Sequence, residues 1–172
     1  DDKGQLDLEA LKKLLSPRTK LVCVAHISNV LGIVNPISKI ASIVHSSGAL
    51  MLVDGAQGIV HCNVNVQELG ADFYAFSGHK VYAAPGTGVL YGRRELLDQL
   101  PPYRGGGEMI QSVSWEHTSY AEVPQRFEAG TQNISGTPTL VPALELAGAM
   151  NNSSVIKEEE SLIRDYVLKE FA

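Results

Sequence analysis

The chain has 172 residues, of which 44% are hydrophobic and 19% charged, a size and composition suited to one soluble domain with a full core. Its formal net charge of -5 argues against a nucleic-acid or anionic-membrane surface, because phosphate binding needs clustered Lys and Arg. No apolar stretch reaches the roughly 18 residues of a membrane-spanning helix, so a small-molecule substrate is expected.

Leu6 to Leu15 reads as an amphipathic helix, with Leu8, Leu11, Leu14 and Leu15 at helical spacing and Ser16-Pro17 as its stop. A strand from Lys20 to Ser28 follows. Asn35-Pro36 opens the next helix, in which Ile37, Ile40, Ala41 and Val44 make one apolar face and Gly48 closes the end. Ala49 to Val53 is a second buried strand with Asp54 at its carboxyl end. A connection through Val66 to Leu69 leads to a third strand, Asp72 to Phe76, and Gly88 to Tyr91 is a fourth. Apolar runs separated by helical segments indicate an α/β fold with a mainly parallel sheet flanked by helices. Beyond Arg93 a short helix reaches Leu100, Pro101-Pro102 ends it, and Gly105-Gly106-Gly107 marks an irregular stretch. A helix opens at Pro138 and runs to about Met150, with a kink or a later start at Pro142. Another helix is expected from Ser154, carrying Val155, Ile156, Leu162, Ile163, Tyr166 and Val167.

The two cysteines, Cys23 and Cys62, do not suggest a disulfide framework, since Cys23 lies within the apolar "LVCVAHIS". A reducing, cytoplasmic setting is expected, or an organelle if a transit peptide lies upstream. No metal site is expected. The chain opens without Met inside a charged, helix-like segment, so a fragment of a longer protein is expected.

Ligands of open parallel α/β sheets bind beyond the carboxyl ends of the strands, and three strands here end in polar residues: His26 to Asn29, Asp54 to Gln57, and Ser77 to Lys80. Each has an ordinary structural explanation as a cap or a solvated turn, and Lys80 reads equally as the first residue of such a turn. Together they match the needs of pyridoxal phosphate, in which a lysine forms a Schiff base with the aldehyde and a carboxylate keeps the pyridine nitrogen protonated. Asp54 and Lys80 suit these two parts. Ser77 and His79 are candidate phosphate donors, and Gln57 is placed to reach the ring hydroxyl.

The ordered set "HISNVLG", "LVDGAQ", "ADFYAFSGHKVY", "GVLYGRRELL", "PPYRGGGEMI" and "RFEAGTQN" resembles the class V aminotransferase group of fold-type I enzymes. Within that group it is similar to the SufS-type cysteine desulfurases and selenocysteine lyases. The resemblance runs from about Lys20 to Met150 and implies the large domain of a three-layer α/β/α enzyme. Residues 1–150 would form its central part, and 151–172 a helical segment leading toward a small domain. The resemblance further implies Lys80 as the Schiff-base lysine, Asp54 at the pyridinium nitrogen, Gln57 at the ring hydroxyl, and Ser77 and His79 at the phosphate. Thr131 would reach the phosphate of the partner subunit's cofactor in a homodimer, and Asn29 the substrate carboxylate. The implied activity removes sulfur from L-cysteine, giving L-alanine and an enzyme persulfide for iron–sulfur cluster or other sulfur assembly by an acceptor protein. Selenocysteine lyase activity is the near variant, and a non-catalytic scaffold docking a sulfur acceptor is the reading from another class. Ala83-Ala84, where the group shows Gly-Pro, and Gln132, where it often has proline, depart from the pattern. The group's phosphate loop and ring-stacking histidine are expected upstream, its nucleophilic cysteine and substrate arginine downstream, and Cys23 and Cys62 match neither role.

Overall fold

Two periodicities organise the chain, and the computed structural model describes them over residues 1–171. Helix α1, Leu8–Leu14, begins where the Asp7 carboxylate accepts from the Glu9 and Ala10 amides at 2.9 and 3.0 Å, satisfying donors that have no helical partner. Leu8 and Leu11 pack toward the core, whereas Leu14 is exposed. Strand β1, Leu21–Ala25, is shorter than the apolar run suggests: Ile27 instead bridges Val34 and closes a loop with Asn29 near its tip.

Helix α2, Ile37–Ser46, buries the four residues of its predicted apolar face, and Gly48 follows at φ +76°, a conformation in which a Cβ is strained. Ile37, Ile40 and Val44 are at most 2% exposed, and each such burial contributes about 1.5–3 kcal/mol. They pack on Met51 and Val53 of β2, Leu50–Asp54, and on Tyr74 of β3, Phe73–Ser77. Between these strands lie two single-turn helices, α3, Gly58–His61, and α4, Val66–Leu69.

The sheet order is β1-β2-β3-β4, with β1, β2 and β3 parallel. Strand β4, Gly88–Gly92, runs antiparallel to β3, because only the short turn 78–87 joins them and a parallel return needs a longer crossover. After α5, Arg94–Leu97, the stretch read as irregular contains a hairpin of β5, Ile110–Val113, and β6, Thr118–Tyr120, largely exposed and pairing only with each other. A turn at Thr137–Thr139 precedes α6, Leu140–Asn152, so the helix starts late and Pro142 falls in its first turn, where its missing N–H costs nothing. Ala143 and Ala147 are buried, and α6 packs against α3 and the 3₁₀ turn after β3. Helix α7, Ser154–Glu170, forms as expected, but Leu162, Ile163 and Tyr166 are each 64% exposed.

Candidate functional site

The carboxyl ends of the three parallel strands are tied into one edge. Register places Asp54 beside both Ala25 and Ala75. The His26 amide donates to the Asp54 carbonyl and the Gly55 amide to the Ala75 carbonyl, each at 2.8 Å. Beyond this line the chain leaves the sheet three times. It does so into the loop bearing Asn29, into the turn bearing Gln57, and into the 3₁₀ turn Gly78–Val81 bearing His79 and Lys80.

The last turn explains the placement of the lysine. Val81 is fully buried, and Gly78 is buried against Thr87, whose Oγ1 lies 2.1 Å from where a Cβ on residue 78 would stand. The Ala83 amide donates back to the Gly78 carbonyl at 2.9 Å, and Tyr82 takes φ +71° to complete the reversal. Pinned at both ends, the turn presents His79 and Lys80 to solvent rather than to the core.

Asp54 accepts one hydrogen bond, from the Ala56 amide at 2.9 Å, and has no cationic partner among the described residues. The side chains of Asn29, Gln57, Ser77, His79, Lys80 and Thr131 appear in no hydrogen bond or ion pair among the described residues. The edge therefore offers a carboxylate, a primary amine, a hydroxyl, an imidazole and an amide, none of them spent on another side chain. This donor set fits pyridoxal phosphate: a carboxylate for a ring N–H, an amine for an aldehyde, and donors for a phosphate and a ring hydroxyl.

Asn29 and Gln57 line a single cleft of about 880 Å³ whose far wall is α7, through Lys157, Glu160 and Arg164. Thr131 lines a separate cleft of about 660 Å³ with Thr87, Gly88, Glu108 and Glu128. Gly88 pairs with Ser77, so Thr131 stands at the same end of the sheet, in a different cavity from Asn29 and Gln57. Lys80 lines neither. Cys62 also lines the larger cleft, with its thiol pushed above its ordinary pKa by burial, which suppresses the reactive thiolate.

Two polar clusters escaped the sequence reading. His26, grouped there with the polar strand ends, is buried, and its Nδ1 lies 3.0 Å from the Tyr74 hydroxyl. Burial lowers the pKa of His26 and raises that of Tyr74, so both are neutral near pH 7. The visible signal was "DGAQG", whose glycines lie against this pair. The second cluster stands at the opposite end of the sheet, where buried Asp72 accepts from the Met51 amide, His45 and Arg93 at 2.8, 2.8 and 3.1 Å. Burial alone would raise its pKa, but the Met51 amide, His45 and Arg93 more than offset this and hold it low. The cleft of about 700 Å³ beside it offers no free cationic arginine, since Arg93 pairs with Asp72 and Glu95 and Arg94 with Asp98.

The Aminotransferase class-V family model matches residues 1–171. The cysteine desulfurase of Dickeya dadantii is 48% identical over 172 residues, covering 99% of this chain and 42% of its own length. A probable cysteine desulfurase of Vibrio cholerae is 47% identical over 152 residues, which are 88% of this chain and 38% of that protein. Among solved structures, the apo cysteine desulfurase of Thermococcus onnurineus superposes with a TM-score of 0.87 at 38% identity, over 96% of this chain and 41% of that one. The cysteine desulfurase CsdA of Escherichia coli, in an S-sulfonic acid form, gives 0.84 at 38% identity, over 95% and 42%. The chain thus spans about two fifths of the length of these relatives.

Proposed function

Because the chain belongs to the aminotransferase class-V family, we propose that it forms the central part of a pyridoxal-phosphate-dependent cysteine desulfurase. The observation that carries this reading is the set Asp54, Gln57, Ser77, His79 and Lys80 gathered at one sheet edge with no side-chain partner of their own. Bound there, the cofactor supplies an electrophilic aldehyde and a protonated ring that withdraws electrons from the substrate's α-carbon. Asp54 holds the proton on the ring nitrogen through its unpaired carboxylate. Gln57 donates its amide to the ring hydroxyl, and Ser77 and His79 bind the phosphate. Lys80 would hold the cofactor's aldehyde through Nζ, and its free amine would serve as the base for the α-proton of L-cysteine. Asn29 orients the substrate carboxylate.

The sulfur passes to a thiolate outside this chain: the substrate C–S bond breaks, an S–S bond forms, and L-alanine leaves after its carbon skeleton is reprotonated. The raised pKa of Cys62 makes that thiol unsuited to the role. The persulfide then serves a sulfur-acceptor protein, in a cytoplasmic homodimer in which Thr131 completes the phosphate cradle of the partner subunit. The test uses the intact protein with added pyridoxal phosphate. Bound cofactor should give a visible absorption band, L-cysteine should yield alanine and sulfide in the presence of a thiol, and borohydride should fix the cofactor to Lys80. Lys80→Ala should lose both turnover and fixation. Fixation at another lysine would refute the assignment, and an intact protein that takes up no cofactor would favour the scaffold.

A further inference from the structure

Strand β2 lies between β1 and β3, so the contact of His26 with Tyr74 spans the carboxyl end of β2 and forms a floor under the turn that leaves it. The two rings meet edge to face, with planes at 87° and centroids 6.0 Å apart, and the residues are 5% and 1% exposed. The turn rests on this floor through its glycines. A Cβ on Gly55 would stand 1.9 Å from Tyr74 Cε1, and one on Gly58 would stand 2.3 Å from His26 Nδ1 and 2.7 Å from the Tyr74 hydroxyl. Neither approach is open to any other residue without displacement. Asp54 immediately precedes the first of these glycines and Gln57 the second.

We propose that the His26–Tyr74 pair is a positioning device: its hydrogen bond fixes the height and tilt of the Asp54–Gly58 turn, and through it the aim of the Asp54 carboxylate and the Gln57 amide. The proposal rests on the cofactor-binding reading above. Strand alternation puts Tyr74, like its register partner Val53, on the α2 face and Asp54 on the other, so the pair acts on the Asp54 side chain only through the turn. The Asp54 main chain is held by the His26 amide and, through Gly55, by β3, and the turn beyond is closed by the Ala56 amide on the Asp54 carboxylate and the Ile59 amide on the Gly55 carbonyl; the side-chain floor sets the height at which this closed turn sits. Both rings are neutral near pH 7, so the floor puts no charge beneath the turn that carries the Asp54 carboxylate. A misplacement of about 1 Å at a reacting group costs about 100-fold in rate, and loss of one supporting bond should cost a part of that.

The experiment compares intact wild type, Tyr74→Phe, His26→Asn and Gly58→Ala. Each is titrated with pyridoxal phosphate, its visible band is followed over pH, and turnover of L-cysteine is measured. Tyr74→Phe keeps the ring and loses only the hydroxyl. It should weaken cofactor binding about tenfold, shift the pH midpoint of the band and lower kcat about tenfold, with KM changed less. His26→Asn, whose amide sits near the former Nδ1, should recover most of the loss seen in a His26→Ala control. Gly58→Ala leaves the pair intact but pushes the turn off it, and should reproduce the spectral shift; it decides the matter if Tyr74→Phe fails to fold. A wild-type band and affinity in folded Tyr74→Phe, or in Gly58→Ala, overturns the proposal while leaving the functional reading standing. Failure of the wild type itself to bind the cofactor overturns both.

Discussion

Removal of the Asp72 carboxylate tests the anchorage of the sheet at the end away from the proposed site. Asp72 is 1% exposed, while its partners His45 and Arg93 are 37% and 49% exposed. The two losses therefore differ. In Asp72→Ala the Met51 amide loses the acceptor that stands 2.8 Å away, within a residue that is fully buried. A buried donor left unpaired costs about 1–3 kcal/mol. The side-chain partners contribute less, since the half-exposed His45 and Arg93 can return to water, and about 0.5–1 kcal/mol is their share. The sum is about 3 kcal/mol, or roughly 6–12 °C in Tm for a cooperative unfolding unit of about 150–250 residues. Asp72→Asn keeps an acceptor for Met51 and loses the charge, so it should cost about 1 kcal/mol. The sign with pH follows from the depressed folded pKa of Asp72. Its charge-dependent stabilisation is fully present above the unfolded value of about 3.9 and is lost as pH falls through the folded value below it. Thermal unfolding of the intact protein by circular dichroism, from pH 7 to pH 3, measures both effects. A Tm of Asp72→Ala within 1 °C (on the order of ~0.3 kcal/mol) of wild type, or an Asp72→Asn deficit that stays constant to pH 3, would refute the reasoning.

Asp54→Asn should retain cofactor but slow exchange of the substrate α-proton into deuterium oxide at least tenfold, because a neutral amide no longer holds the ring proton; an unchanged NMR exchange rate contradicts its role. Gly78→Ala should weaken cofactor uptake, since the new Cβ meets Thr87 Oγ1 at 2.1 Å and that hydroxyl is itself tied to the Ala84 carbonyl at 2.7 Å. The clash should cost about 1–3 kcal/mol, and adding Thr87→Ala should restore uptake; no recovery would show that the clash is not the cause. Mixing Thr131→Ala with Lys80→Ala subunits should restore about half the activity per heterodimer, because one site then carries both lesions and the other neither. Activity no higher than in the single variants would place Thr131 in its own subunit's site.

What could be read from the sequence follows the range of the interaction involved. The face of α2 was legible because helical spacing alone brings Ile37, Ile40, Ala41 and Val44 together, and the structure buries all four. Asp54 and Lys80 were legible as strand-end residues because a parallel strand announces its end by the change from apolar to polar. The direction of β4 depended instead on the length of a turn, and the β5–β6 hairpin had no signal, since four exposed residues against three carry neither a buried face nor a marked turn. In α7 the periodicity correctly gave the helix but not its burial, because spacing reports which residues share a face and not what covers it. The His26–Tyr74 pair was beyond reach for a stronger reason. Its members are 48 residues apart, and each has a separate ordinary place, one at a polar strand end and one in a buried strand. Only strand order makes them neighbours, and only then do Gly55 and Gly58 acquire a reason: the turn they flank must approach two rings more closely than any side chain allows. The polar strand-end residues can thus be read along the chain, whereas the buried pair beneath their turn becomes visible once the strands are side by side.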